Sequence, residues 1–416
     1  MTELDLSPCA EQPVHVPDSL VYDFDYNADP AYIEHPHARV LDLIEHAPSI
    51  FWTPRNGGHW VVLPYQPMLD AFRNWEVFSS EHFSPEEFEL MMAALPEEQR
   101  VPAPIPICVD PPLQSKLRAP LVSTFTPKAV NGLETQVRAL AERLVDGIAG
   151  NGGCEFMHEV ADVYPVEIFL QMFGLPLERE REYREFAKQQ LSAASPDPMA
   201  AMSMLRGIAD VMRDTVLDRR DNPRDDMISR MWAADIDGEP MSFEIMQSYC
   251  AILFIAGLDT VVNSMGFGVH HLAANPDLQD ELRRDPGLIG GASRELMRYY
   301  GFVGPMRVLK RDTDFYGVSF RQGDLVQLFT PASGHDRSVF PDPEVFDPRR
   351  EGPQHLAFAI GPHFCLGAHL ARLELDTFYE VMLARLPTFR LDPDRPPRYH
   401  GGLIAGVSRL ELVWES

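Results

Sequence analysis

The chain predicts a mainly α fold, a large helical part around one long central helix with a smaller β-rich part drawn from both ends of the sequence. Three observations point there. Between about Lys128 and Asp285 one amphipathic segment follows another, with apolar residues at i, i+3, i+4 and i+7. The span from Ser242 to about Leu272 is apolar on most sides in its middle, as a helix threading a protein's centre must be. Near His59, and again beyond Tyr300, the texture changes to short β-branched and aromatic runs between turn residues. No linker, internal repeat or low-complexity block interrupts the 416 residues, so residues 1–416 are expected to form a single domain.

In chain order, residues 1–30 read as an extended arm, and HWVVLP at His59–Pro64 as a short strand. The run PAPIPICVDPP from Pro102 to Pro112 must be non-helical, because each proline fixes φ and removes a donor. A helix should open after it, with Asp110 as a candidate cap and prolines at its first turn. VNGLETQVRALAERLVDGIA and VMRDTVLDRRDN are amphipathic helices, and the central one spans roughly 30 residues, or ~45 Å at 1.5 Å per residue. A further helix carries RELMRYY. MRVLK, FYGVSF and LVQLFT then read as strands, followed by a Pro/Asp-rich meander, the loop FAIGPHFCLG, the helix AHLARLELDTFYEVMLARL and a β-like tail, GVSRLELVW.

Composition narrows the function. Lys plus Arg number 36 against 62 Asp plus Glu, a net charge of −26 that repels phosphate backbones and anionic lipid. Neither nucleic acid nor a membrane is therefore an expected partner. Five scattered cysteines suit a reducing compartment. The acidic, Pro-interrupted start is no signal peptide, and the apolar stretch Ala251–Leu258 is too short to cross a bilayer before Asp259. The expectation is a soluble cytoplasmic protein. His35-Pro36-His37 and His270-His271 lack zinc-site spacing, and neither a GxGxxG after a strand nor a GxSxG is present.

Chemistry concentrates in three places. In Phe358-Ala-Ile-Gly361-Pro-His363-Phe-Cys365-Leu-Gly367, two glycines bracket one cysteine just before a helix. That permits a tight turn with N–H groups aimed at sulfur, and a helix N-terminus there favours the thiolate, a soft metal ligand. A buried small hydrophobe on a strand-to-helix turn is the plainer alternative. In Ala256-Gly257-Leu258-Asp259-Thr260, an acid and a glycine interrupt the apolar helix at some cost. Thr260 is placed to hydrogen-bond the carbonyl of Ala256, which fits either a functional break or a simple kink. Glu295 and Arg298 sit at i, i+3 on one helix, a pair that is common on exposed surfaces.

With these residues in hand, the chain resembles the cytochrome P450 superfamily of haem-thiolate monooxygenases. The cysteine loop matches F-x-x-G-x-[RH]-x-C-x-G at every position, the central helix matches A-G-x-D/E-T, and Glu295–Arg298 matches E-x-x-R. The resemblance implies the cytochrome P450 fold and haem b (iron protoporphyrin IX), with Cys365 as the iron ligand. It implies that Phe358 packs near the sulfur, that Gly361 shapes the loop, and that His363, Arg118 and Arg307 contact the propionates, with Gln114 a further contact. Ala256 and Gly257 would leave room for dioxygen, Thr260 would donate a hydrogen bond there, and Asp259 would relay protons from solvent. Glu295 and Arg298 would form a buried ion pair steadying the cysteine loop, its usual third partner replaced by Val345, with Arg349 and Arg350 as substitutes.

Within the superfamily the chain is most similar to bacterial camphor hydroxylases, on AGLDTVVN, DPP-x-Q-x-x-x-R and the ending GV-x-x-L-x-L-V-W. It departs where their ketone-binding tyrosine stands, at about Pro102, and EEFELMMAALPEEQR alters the same segment. Pocket positions carried over are Ile252, Ile255, Ala256, Val303, Leu403 and Ile404. All are apolar, so a compact terpenoid or norisoprenoid ketone held by shape and apolar burial is expected. Electrons would come from a [2Fe–2S] ferredoxin, served by an NAD(P)H-dependent reductase and docking near Arg118. Two alternatives share the cysteine loop: a haem-binding sensor or carrier without turnover, and a peroxide-driven haem enzyme. Neither accounts for Asp259 with Thr260.

Overall fold

The computed structural model describes residues 6–96, 100–122, 124–183 and 198–415, with backbone only for 198–204. The central helix runs Phe243–Ala274, 32 residues. Ser242 starts it by accepting a hydrogen bond from the Ile245 N–H (3.3 Å), and Asn275 with Pro276 ends it. Met246, Tyr249, Phe254, Leu258, Met265, Val269 and Leu272 are buried around it, so apolar residues all round meet protein all round. By length and hydropathy the full helix would suffice to cross a bilayer, unlike the eight-residue stretch considered in the sequence. Here it is the axis of a globular core.

Four helices enclose that axis: Tyr164–Phe173, Pro198–Asp221, Ile289–Tyr300 and Ala368–Arg385. A fifth, Glu134–Ala149, packs its apolar stripe Val137, Leu140, Ala141, Leu144, Val145 and Ile148 inward behind Ala368–Arg385. The helix after the proline-rich run is Leu113–Val122, and Tyr249 Oη donates to the Leu117 carbonyl (2.5 Å) to tie it to the central helix. Asp110 does not cap it with its side chain. Its carboxylate instead accepts from Ser79 Oγ and from the Ser80 N–H (3.1 Å), leaving only its carbonyl to accept from Gln114 N–H (2.9 Å).

The β part joins distant segments. A five-stranded mixed sheet runs Ile50–Thr53, His59–Val62, Leu325–Leu328, Met306–Leu309, Phe78–Ser79, with one parallel pair in the middle. Its register sets Arg307 opposite Val326, which itself faces Trp60. FYGVSF forms the hairpin Thr313–Phe315 with Val318–Phe320. The tail splits in two. Gly406–Arg409 pairs with Arg398–His400, while Glu411–Trp414 lies between Phe389–Leu391 and Gly153–Glu155. The first described residues form the expected arm, held to the sheet through Val21 beside Trp52.

Candidate active site around Cys365

The cysteine loop is shaped by its own backbone. The Cys365 N–H donates to the Phe358 carbonyl (2.9 Å), and the Phe364 N–H to the Gly361 carbonyl (3.0 Å). Ala359 (φ +56°) and Gly361 (φ +79°) take left-handed conformations to make the turn. Helix Ala368–Arg385 then begins directly after Gly367, so its N-terminus lies beside the sulfur. Burial nonetheless pushes the Cys365 thiol above its ordinary range. The Gly367 N–H and the guanidiniums of Arg118 and Arg372 pull it back without prevailing. The expected thiolate preference therefore needs a cation at the sulfur. Arg372 also lies over the Phe358 ring, 5.3 Å from its centroid, a neighbour the sequence motif does not disclose.

Helix Leu113–Val122 braces this loop from the side. Gln114 Nε2 donates to the Pro362 carbonyl (2.7 Å) and Arg118 donates to the Phe364 carbonyl (2.6 Å). Gln114, expected at the cofactor, is buried and ties this helix to the loop. Arg118 keeps its charge. Neither it nor Arg307 pairs with a carboxylate among the described residues, and Arg307 is buried. Arg307 donates to its neighbour's carbonyl at Met306 (2.7 Å) and lies over the Phe72 ring, 5.5 Å away. Burial lowers its pKa to about 10. His363 Nε2 is buried without a hydrogen-bond partner, 3.9 Å from Asp110 Oδ1. Two unpaired guanidiniums and an orphaned imidazole nitrogen on elements that meet the cysteine loop make a receptor for carboxylates.

The middle of the central helix is open where its sequence is most apolar. Ala256 is exposed and Ile252, Ile255, Asp259 and Thr260 are half-buried, although the helix is enclosed on its other sides. Thr260 Oγ1 donates to the Ala256 carbonyl (2.9 Å), the bond read from spacing. Gly257 is half-buried as well, and a Cβ there would stand 3.5 Å from the Phe169 ring, in ordinary contact with helix Tyr164–Phe173. Ala256 and Gly257 are the two small residues on this stretch, with Ala256 the more open of them. Asp259 is pushed up by burial, pulled down by His400 and Asn263, and pushed up by Asp162. Asn263, unmarked in the sequence, donates to both the carbonyl (2.9 Å) and Oδ1 (3.1 Å) of Asp259.

Two crossing segments carry the remaining pocket positions. Val303 and Ile404 form an isolated antiparallel bridge, reinforced by Gly304 N–H to Leu403 O (2.8 Å) and Ala405 N–H to Phe302 O (2.9 Å). Val303 and Ile404 are half-buried and Leu403 is 38% exposed, too open for plain core leucine.

Behind the loop, Glu295 and Arg298 form a buried bidentate pair (2.8 and 2.7 Å). Arg350 supplies the third partner, donating to Glu295 Oε1 (2.9 Å) while it holds the carbonyls of Pro341, Asp342 and Val345. Arg349 pairs instead with Glu281 (2.6 Å), and Val345 is exposed.

A sequence profile described as Cytochrome P450 matches residues 199–408. A probable cytochrome P450 127A1 of Sinorhizobium fredii is 33% identical over 97% of this chain and 96% of its own length. A steroid C26-monooxygenase of Mycobacterium tuberculosis is 32% identical over 84% and 93%. The crystal structures of CYP101J2 (TM-score 0.85, 33% identity) and CYP101C1 (TM-score 0.87, 30% identity) are each matched over 98% of this chain and 100% of theirs.

Proposed function

The chain belongs to the cytochrome P450 family, and from that premise we propose a monooxygenase that hydroxylates a compact apolar substrate, a terpenoid or norisoprenoid, with electrons from a [2Fe–2S] ferredoxin and its NAD(P)H-dependent reductase. Membership makes the protein a haem b monooxygenase. Haem b, when bound, supplies the iron at which dioxygen is activated. The residues present fit it. Cys365 offers a single soft donor at a helix N-terminus, and Arg118, Arg307 and His363 offer positive or unpaired polar groups for two propionates.

The remaining steps fall to the protein's own side chains. Ala256 keeps the helix face beside Thr260 small. Thr260, its hydroxyl parked on the Ala256 carbonyl, is able to turn its donor toward the open face. Asp259 holds a proton more readily than an exposed acid, because burial favours the neutral form, and passes it on toward Thr260. Ile252, Ile255, Val303, Leu403 and Ile404 bind by exclusion of water. The observation that carries the substrate class is this apolar wall, with no ionisable residue among the pocket positions named. Relatives named as a steroid C26-monooxygenase and a vitamin D(3) 25-hydroxylase agree with an apolar substrate.

The reduced protein with carbon monoxide should show a strongly red-shifted Soret band, lost in Cys365→His. A histidine-type band in the unaltered protein would sink the ligand assignment. Terpenoid ketones should shift the ferric spin state at micromolar concentration, and fatty acids should not.

A further inference from the structure

The turn that carries Leu403 is shaped from outside itself. Gly401 and Gly402 give it no side chains to brace it, and Gly402 takes φ +134°. Support comes from the other end of the chain. The Gly402 N–H donates to the Tyr26 carbonyl (2.7 Å). A Cβ on Gly401 would run into that same oxygen and lie 2.7 Å from the Asn27 carbonyl. On the other side the Gly304 N–H holds the Leu403 carbonyl (2.8 Å). The turn is thus clamped between the segment at Val303 and the backbone at Tyr26 and Asn27. Those two residues are fixed in their turn by Asp25. Its buried carboxylate accepts through Oδ1 from the Asn27 and Ala28 N–H groups (2.9 and 3.0 Å) and from Asn56 Nδ2 (3.0 Å). Through Oδ2 it accepts from the N–H and the hydroxyl of Ser7 (2.7 Å each). Asn56 closes the cluster, donating its N–H to Ser7 Oγ (2.8 Å) and accepting at Oδ1 from Asn27 Nδ2 (2.8 Å).

We propose that Asp25 is a positioning residue for substrate discrimination: through the Tyr26 and Asn27 carbonyls it fixes the Gly401–Gly402 turn, and with it the place of Leu403 and Ile404 in the substrate wall. This rests on the proposed role of Leu403 and Ile404 as pocket residues. Leu403 is 38% exposed and Ile404 is joined to Val303 by an isolated bridge, so neither sits in a strand ladder that would place it unaided. Hydrogen bonds to an ionised carboxylate are the strong kind, and here they gather the arm at Ser7, the turn at Asn56 and the backbone that meets Gly401. Moving this clamp would shift two apolar side chains together. The outline of the wall would change and its polarity would not, so ligands of one chemistry and different shape would respond unequally.

The test uses the full chain as holoprotein. Spin-state titrations with camphor and with the longer geranylacetone, two terpenoid ketones, are paired with hydrogen exchange at the Gly402 amide. In Asp25→Asn an amide group replaces one carboxylate oxygen and meets a backbone N–H whichever way it turns. Gly402 should then exchange faster, and the ratio of the two dissociation constants should change by about fivefold, the order of one hydrogen bond. Ser7→Ala removes less of the cluster and should move both readouts in the same direction, should Asp25→Asn fail to fold. Gly401→Ala, which presses on the Tyr26 carbonyl, should change the same ratio, and adding Asp25→Asn to it should change little more. Unaltered Gly402 exchange in the Asp25 and Ser7 variants would overturn the proposal. So would an unaltered ratio beside a lowered Tm, or full additivity in the double variant. If neither ketone shifts the spin state, the proposed function fails, and the exchange measurement still decides the role of Asp25.

Discussion

Gly361 turns the cysteine loop at φ +79°, and a Cβ there would stand 2.8 Å from the Phe72 carbonyl. Two penalties coincide, a left-handed backbone and a clash with backbone that cannot rotate away. Gly361→Ala is expected to cost about 1–3 kcal/mol and to loosen cofactor retention, read as a lower Tm and faster haem transfer to apomyoglobin. At Thr260 the expectation concerns chemistry alone. Thr260→Ala removes a hydroxyl bonded only within its own helix, so folding and haem content should hold while reducing equivalents divert to hydrogen peroxide. Tightly coupled product formation in that variant would contradict the proton-donor role. At this scale the motif residues Cys365, Asp259 and Thr260 were legible because their spacing is local. The tie from Gln114 to the Pro362 carbonyl and the place of Arg372 over Phe358 were not: each acts on a residue distant in sequence, and its type alone does not set it apart from a surface polar side chain.

Elements succeed here through what fastens them to one another. Glu295 lies buried on helix Ile289–Tyr300 and receives Arg298 from its own helix and Arg350 from the meander, so the triad joins a helix to an irregular segment. Removing one donor from a buried carboxylate leaves its charge under-satisfied. Arg350→Leu is expected to lower stability by about 2–3 kcal/mol, whereas Arg349→Ala, which breaks an exposed pair with Glu281, should cost less than ~0.5 kcal/mol. Paired thermal melts of the two variants decide it, and equal shifts would mean that the triad carries no special weight. The central helix was readable almost to its ends because an N-cap serine, an unbroken apolar course and an Asn-Pro stop all lie within it. The choice between Arg349 and Arg350 was not, since adjacent arginines in an irregular chain carry no periodicity to orient them.

Across the whole molecule, acid should be the weak side. His59, His270, His271, His335 and His355 are held to pKa values of about 4, and His37 to about 3, chiefly because burial penalises the cation. The unfolded chain takes up those protons below about 6.5, so stability present above that pH is lost as pH falls toward 4. Glu374, pushed up to about 8 by burial, works in the opposite direction above its ordinary 4.5, as do Asp259 and Asp376, whose carboxyls burial raises, but these acids are fewer than the six histidines. The denaturation midpoint should therefore drop steeply between pH 7 and 5, at up to ~1.4 kcal/mol per pH unit for each histidine. A flat profile would contradict it, and His37→Phe should shallow the slope.

Arg118 and Arg307 carry their charges inside the fold without a carboxylate beside them among the described residues. A chain that keeps such charges waiting is held back until an anion arrives, and binding to the native form alone draws the folding equilibrium with it. Cellular abundance of this protein should then track porphyrin supply: chains made during iron starvation stay open longer and meet proteases first.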